Sequence, residues 1–320
     1  MSTLRRTVTR MLGARVCSSL GGARHGRPAP RGGRARHRAP PSAAFATKSG
    51  GDVYTHGHHS SVVSQHAART AEDSAAFLLD RLQPGQKILD AGCGPGSISV
   101  GLAKAVGPKG ELVAIDVDEG IVARAAATLV TSGAANASCA VASLYDLSSF
   151  ADDSFDVAYA NQVLQHLSDP VAALAELRRV VRPGGLVAVR DADYSSMTGW
   201  PNEMAEWRRI YRQTCRKNNA EPDAGRYLVQ WARAAGFASD AIEFSASLKV
   251  YSRAEDEQAR RRWGEDWAER TLRSSFGKQA LQYGVASADE MQAVAEAWQD
   301  WAETPESFFH YVNGEVIATV

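Results

Sequence analysis

The sequence predicts an α/β fold built as a doubly wound parallel sheet with helices on both faces. Three observations point there. From residue 71 onward, short apolar runs alternate with segments whose apolar residues recur at helical spacing. The first run leads directly into a turn with three alternating glycines, "ILDAGCGPGSISVGLA" at 88–103. No apolar run approaches the ~20 residues that span a bilayer, so the runs read as buried strands.

The elements follow in order. "AEDSAAFLLDRL" reads as a helix stopped by Pro84-Gly85, "KILDAG" as a buried strand and "SISVGLAKAVG" as a helix. "LVAIDV" is a second strand, and "EGIVARAAATLVTSG" a helix ending at Gly133. "ASCAVAS" and "FDVAYA" are strands three and four. In "PVAALAELRRVVRPGG", Ala173, Leu174, Leu177 and Val181 share the inward face, and Arg182-Pro183-Gly184-Gly185 ends the helix before the strand "LVAVRDA". The last third differs. "EMAEWRRIYRQTCRK" and "GRYLVQWARAAGF" are helices, and "AIEFSASLKVY" is strand-like. Residues 253–303 form a long helical stretch carrying Trp263, Trp267, Trp298 and Trp301. "FFHYVNGEVIATV" is a closing strand, in which Asn313-Gly314 marks either a hairpin turn or, preferred here, a bulge or bend.

Composition narrows the class. The chain has 320 residues, 44% hydrophobic and 22% charged, ordinary for a globular protein. Cys17, Cys93, Cys139 and Cys215 lie far apart with no CxxC, which argues against a disulfide framework and a thiolate zinc site. The net charge of zero conceals an asymmetry. Residues 1–51 hold ten arginines, Lys48 and no acid, which leaves 25 basic against 36 acidic residues in 52–320. A body so acidic argues against a nucleic-acid substrate. The leader begins with Leu4, Val8, Met11 and Leu12 on one helical face among arginines, and a Pro/Gly-rich spacer follows. That is the composition of a transit peptide, cleaved within "RAPPSAAFATKSGG". Arginine dominance favours the mitochondrion over a plastid. The alternative is a disordered basic tail, with the protein in the cytoplasm.

The glycine turn raises the question of its ligand. A dinucleotide turn has the pattern G-x-G-x-x-G/A. Here the third glycine, Gly96, falls one place early after Gly92 and Gly94, and Ser97 occupies the expected position. Asp90 just before the glycines suits a cationic amine and would repel a pyrophosphate. Asp116 ends the second strand 20 residues after Gly96, where a carboxylate accepts both hydroxyls of a ribose; taken alone, it equally suits a helix cap.

With "SFDVAYANQVLQHLSDPVAALAELRRVVRPGGLVAV" at 154–189 added, the chain resembles class I S-adenosylmethionine-dependent methyltransferases. It is most similar to the group that includes the ubiquinone/menaquinone C-methyltransferases. The likeness covers 54–195 well and the later segments more loosely. It implies a Rossmann-like seven-stranded sheet with the last strand antiparallel and, in this chain, a C-terminal helical insertion. It also implies roles. The turn from Asp90 through Gly92, Gly94 and Gly96 would hold the methionine part of S-adenosyl-L-methionine. Asp116 would bind the ribose, Val117 would lie on the adenine, and Ser143 and Leu144 would edge it. Asn161 and Gln162 would line the reacting methyl. Ser143 stands where many relatives carry an acid, and Leu147-Ser148-Ser149-Phe150 replaces a shorter turn. The expected organisation is a leader at 1–51 and one domain at 52–320. That domain divides into a cap (52–70), a cofactor-binding core (71–195), substrate-side helices and insertion (196–303), and a last strand (304–320).

"VYTHGHHSSVVSQHAART" is rich in histidine, but adjacent His58 and His59 point apart in any regular element. A metal site is therefore not expected. By analogy this segment caps the cofactor, with Tyr54 and Arg69 reaching its carboxylate; Arg69 as a solvated helix residue is the competing reading. A sulfonium methyl is already activated, so a base is needed only where the acceptor carries a high-pKa proton. His166, Asp193 and His59 are the leading candidates, followed by Asp191 and His56; a core histidine or a helix cap explains each equally well. The tryptophans read first as core. Any that face the cofactor imply an apolar or aromatic acceptor, such as a quinone precursor. The expected function is methyl transfer to a small organic acceptor. The alternatives are a silent cofactor-binding assembly protein and a nicotinamide oxidoreductase.

Overall fold

Seven strands form one sheet: β1 (Lys87–Ala91), β2 (Glu111–Asp116), β3 (Ala137–Val141), β4 (Phe155–Asn161), β5 (Val181–Trp200), β6 (Ile242–Ser252) and β7 (Phe308–Thr319). The computed structural model describes residues 52–202 and 204–320, without the side chains of 253–255. The leader and its expected cleavage region lie outside the described residues. The strand order is β3-β2-β1-β4-β5-β7-β6. Neighbours from β3 to β5 pair in parallel, and β7 runs antiparallel to both β5 and β6. The doubly wound seven-stranded sheet with its last strand reversed is thus present.

Helices α1 (Ser60–Ala67), α2 (Ala71–Ser74), α3 (Ala76–Leu79), α4 (Ser97–Val106), α5 (Glu119–Thr131), α6 (Pro170–Val180), α7 (Ala205–Lys217) and α8 (Leu228–Ala234) precede the insertion α9 (Arg253–Arg273), α10 (Ser275–Gln282) and α11 (Ala288–Glu303). Successive strand residues point to opposite faces, which separates two cores. Ile88, Tyr159 and Ala188 face Leu78 and Leu102 on one side. Leu89, Ala158 and Val189 face Leu174, Leu177 and Leu228 on the other. A third core forms where α7, α9 and α11 close over the ends of β5 and β7. There Trp207, Trp267, Trp298, Trp301, Tyr211 and Phe309 are buried together. Each such aromatic stabilises the fold by on the order of 2–3 kcal/mol through apolar burial, so the insertion has a core of its own.

Three elements differ from expectation. The helix expected over 71–82 breaks at Ala75 (φ −126°, ψ 14°) into α2 and α3. The Tyr159 hydroxyl donates to the Ser74 carbonyl at 2.7 Å, a bond from outside the helix at the point where it breaks. Asn313-Gly314 forms neither a hairpin nor a bulge, since β7 pairs continuously with β6 through both residues. Gly314 instead permits contact with another backbone, because a Cβ there would lie 2.0 Å from the Gly225 carbonyl oxygen. The strand expected over 186–192 extends from Val181 to Trp200, with a register shift between Asp193 and Thr198.

Candidate active site

The glycine turn opens at the carboxyl end of β1, beside the ends of β2 and β4. Gly92, Gly94 and Gly96 take φ of 74°, 55° and 83°, a left-handed backbone that only glycine adopts readily. At Gly94 nothing lies within 4 Å of where a Cβ would stand, so any side chain there would fill the open space before the turn. The Gly94 N–H donates to Asp116 Oδ2 at 3.1 Å and the Asp118 N–H to Oδ1 at 3.2 Å. Asp116 therefore ties the turn to the loop after β2, and each oxygen keeps a further lone pair. Asp90 is enclosed, 2% exposed, and accepts a 2.5 Å bond from the Ser99 hydroxyl. Burial raises its carboxyl to about 6, against the pull of that hydroxyl.

Beyond Asp116 an open groove of about 430 Å³ is lined by Val117, Val141, Ala142, Ser143 and Asp146. Val117 is 67% and Val141 54% exposed, two apolar surfaces left in water at the groove's rim. Leu144 is buried beside it, and the Ser143 hydroxyl accepts the Tyr145 N–H at 3.2 Å. A carboxylate with spare lone pairs, an open glycine cradle and an uncovered apolar slot fit a nucleoside that carries a sulfonium amino acid. Asp90 and the absence of a positive side chain at the turn do not fit a diphosphate.

On the other side of the turn the cap closes a narrow cavity. His56, Gln65, His66, Arg69, Gln162, Gln165, His166, Tyr194, Trp263, Trp267, Arg270 and Tyr311 line it. Gln162, just past β4, is held left-handed at φ 55°, an uncommon state for a side chain of this size. Its Oε1 accepts from Arg69 Nη2 at 2.7 Å, and its Nε2 donates to Asn313 Oδ1 at 3.3 Å. The Ser97 hydroxyl donates to the His66 carbonyl at 2.8 Å, joining α1 to the start of α4. Tyr54 packs its ring on His166 with centroids 4.8 Å apart. His56 stacks on Tyr211 and lies 2.9 Å from the Tyr211 hydroxyl. Burial pushes the imidazole of His166 down to about 3, assisted by the Arg69 charge. His56 and His66 are lowered well below the ordinary range for the same reason. Burial raises the Tyr54 phenol to about 12.

The candidate residues separate. Tyr54 of the cap packs on His166 beside the cavity, while Arg69, Gln162 and His166 line it. Asn161 does not: it is 7% exposed, and its Oδ1 accepts from Arg190 Nη1 at 3.1 Å. His59 caps α1, its Nδ1 accepting the Ser61 N–H and lying 2.9 Å from the Ser61 hydroxyl. Asp193 accepts from Arg226 through both oxygens and also takes the Ser195 N–H. The two are thus held by structural partners, and neither lines the cavity with His166. Asp191 is fully enclosed. Its Oδ1 accepts the Gln165 N–H at 3.3 Å, and burial raises its carboxyl to about 8. Among the described residues, no group of three His, Cys, Asp or Glu is placed to hold a metal.

Sequence reasoning passed over two features. Arg190 and Glu315 pair at 3.3 Å, both under 10% exposed. They stand in one cross-strand row, Asn161–Arg190–Glu315–Ser245, with Ser247 also donating to Glu315. A charge inside an apolar strand, Arg190 next to Asp191 in one and Glu315 in the other, was the available signal. Arg270, within the long helical stretch, is 2% exposed and faces the cavity; no motif marks it.

Comparison with known proteins agrees with this geometry. The methyltransferase domain family matches residues 82–248. An uncharacterized methyltransferase of Schizosaccharomyces pombe is 34% identical over 273 residues, covering 82% of this chain and 95% of that one. A protein of Aspergillus luteorubrus named as a methyltransferase is 28% identical, covering 83% and 96%. A ubiquinone/menaquinone biosynthesis C-methyltransferase of Cupriavidus necator is 36% identical over 110 residues, only 34% of this chain and 44% of that one. The chain belongs to the methyltransferase domain family and is an S-adenosylmethionine-dependent methyltransferase.

Proposed function

We propose that the enzyme methylates a small, flat acceptor bound in the cavity behind Gln162. The observation that carries this reading is the cavity's wall. Trp263, Trp267, Tyr194 and Tyr311 line it at the carboxyl end of the sheet, next to Gln162. Four aromatic rings set among eight polar or charged side chains suit a flat ligand that also carries hydrogen-bonding groups. On this reading the tryptophans of the insertion serve both as core and as acceptor wall. The acceptor is a small molecule, and a quinone precursor is one member of that class.

Asp116 takes the ribose diol, with Val117 and Ser143 beside the adenine. Gly94 lets the methionine part approach the backbone, and Arg69, with Tyr54 beside it, holds the carboxylate. Bound S-adenosylmethionine supplies an activated methyl whose transfer leaves S-adenosylhomocysteine. The chain's own part is alignment and exclusion of water. Gln162, fixed from both sides, sets the wall next to the reacting centre. His166 stays neutral and orients the acceptor by hydrogen bonding. With its pKa near 3 it is a weak general base at neutral pH.

The leader directs the protein to the mitochondrion, on its arginine-rich, acid-free composition. A reporter fused to residues 1–51 tests this, and a cytosolic signal refutes it. For the activity, titration with S-adenosylhomocysteine and with NADH comes first, and binding of the first alone is expected. Transfer of labelled methyl into a small-molecule extract then tests turnover. S-adenosylhomocysteine binding with no labelled product would favour an assembly role instead.

A further inference from the structure

We infer that the acceptor is an anion, an aromatic carboxylate whose negative group sits on Arg270. This rests on the acceptor cavity proposed above and adds the charge of its occupant. Arg69 and Arg270 both face the cavity, and no Asp or Glu lines it. Arg270 is 2% exposed; Asp266, four positions earlier on α9, acts on it electrostatically but forms no ion pair with it and does not line the cavity. Its Nη2 donates to the Ser61 carbonyl at 2.8 Å, its guanidinium lies 4.9 Å from the Trp267 ring centre, and its Nε has no partner. A buried guanidinium that no carboxylate contacts directly costs free energy, and an anion that enters the cavity offsets that cost.

The other unpartnered atoms around the cavity are mixed but weighted to donors: Gln165 Oε1 is a buried acceptor, and the Nδ1 of His56 and of His166 can be either. Gln65 Nε2, Trp263 Nε1 and Trp267 Nε1 are buried donors with no acceptor. The histidines carry no charge, since burial holds His56 and His166 neutral, so the cavity's cations are the two arginines. Donors outnumber acceptors on this wall, which suits a group that only accepts. Arg270 reaches the cavity from α9, whereas Arg69 and its partner Gln162 stand on the side of the glycine turn. Two cations from different segments serve two anions, the cofactor's carboxylate at Arg69 and the acceptor's at Arg270. Trp267 stacks under Arg270 and continues the wall for the acceptor's ring. The cavity's volume of about 10 Å³ admits little more than one water, so His56, Gln65 and His66 of the cap must shift to admit even a single ring.

The test uses the full chain saturated with S-adenosylhomocysteine. Benzoate, cinnamate and indole-3-acetate are titrated against it, each beside its neutral primary amide. At least one acid should bind ten times or more tighter than its amide, and raised salt should reduce that preference. Arg270→Met should erase the preference while leaving S-adenosylhomocysteine affinity within threefold, which also reports an intact fold. If no acid outbinds its amide, the inference is overturned, with no variant needed. If Arg270→Met instead weakens S-adenosylhomocysteine tenfold, Arg270 serves the cofactor and the inference is likewise overturned. Should the unmodified chain fail to bind S-adenosylhomocysteine at all, the cofactor-site reading fails first and separately.

Discussion

Arg69 and Gln162, 93 positions apart in the chain, meet at 2.7 Å and hold the cap against the end of β4. The bond fixes a residue in an uncommon left-handed backbone, and such conformations gather where the surrounding structure has a use for them. Arg69→Ala removes both the clamp and the proposed partner for the cofactor's carboxylate. A charge-assisted hydrogen bond contributes about 1.5–3 kcal/mol, so S-adenosylhomocysteine affinity should fall roughly 10- to 100-fold by titration calorimetry. Gln162→Ala removes the clamp alone. It should lower turnover more than affinity, and an equal loss of both would refute this division.

Asp116→Asn tests the opposite wall. The amide keeps the shape and one acceptor but loses the charge that holds the Gly94 and Asp118 N–H groups and the proposed ribose diol. Affinity for S-adenosylhomocysteine should drop at least tenfold, on the order of 1.4 kcal/mol. Binding unchanged from the unmodified chain would remove Asp116 from the site.

The glycine turn, Asp116 and the strand–helix alternation were legible because local chemistry fixes them. A left-handed turn demands glycine wherever the chain places it, and an apolar run between helices has one comfortable environment. The cavity was illegible for the opposite reason. Arg270 comes from α9 and Tyr311 from β7, and neither sits in a local pattern that marks a site. Their meeting is decided by how α9 packs across the sheet ends, which periodicity does not encode. Asn161 shows a middle case. Its position at the end of β4 was read correctly, but its side-chain partner was set by Arg190 on the neighbouring strand. Asp193, a candidate at a strand mouth with a helix cap as the competing reading, is occupied by Arg226, 33 residues later.

The buried row across the sheet predicts a non-additive pair. Arg190→Met strands Glu315, and Glu315→Met strands Arg190, each at a cost of about 3–5 kcal/mol for an uncompensated buried charge. The double variant loses both charges and leaves Ser245 and Ser247 to each other or to water. Its loss of stability in urea denaturation should therefore be smaller than either single loss. A double loss equal to the sum of the two would show that the pair does not couple.

Two glycines with different surroundings separate crowding from backbone strain. Gly314→Ala places a methyl 2.0 Å from the Gly225 carbonyl oxygen, in the middle of β7 and against another main chain. Gly314 cannot withdraw without breaking the β5–β7 ladder, so the variant should lose several kcal/mol or fail to fold. Gly284→Ala, at φ 64° with nothing within 4 Å, should lose only the left-handed penalty of about 1–2 kcal/mol. Melting temperatures of the two decide the point, and equal shifts would refute the crowding at Gly314.

Asp191 gives stability a pH dependence whose sign is fixed by its burial. Its carboxyl titrates near 8 when folded and near 3.9 when unfolded. Between those values the folded chain holds a proton that the unfolded chain has released. Stability from this group is therefore complete below about pH 4, declines as pH rises, and is lost above about pH 8. Asp191→Asn keeps an oxygen for the Gln165 N–H and cannot ionise, so it removes that decline. The variant should gain stability over the unmodified chain at pH 8 and progressively less as the pH is lowered to 5, measured by urea midpoints at each pH. The opposite slope, with the variant losing ground as pH rises, would mean that Asp191 is ionised in the folded protein and stabilised by a partner. In that case its unpartnered Oδ2 would have to face a cation or a donor from a bound ligand, and the variant's deficit should shrink when that ligand is withheld.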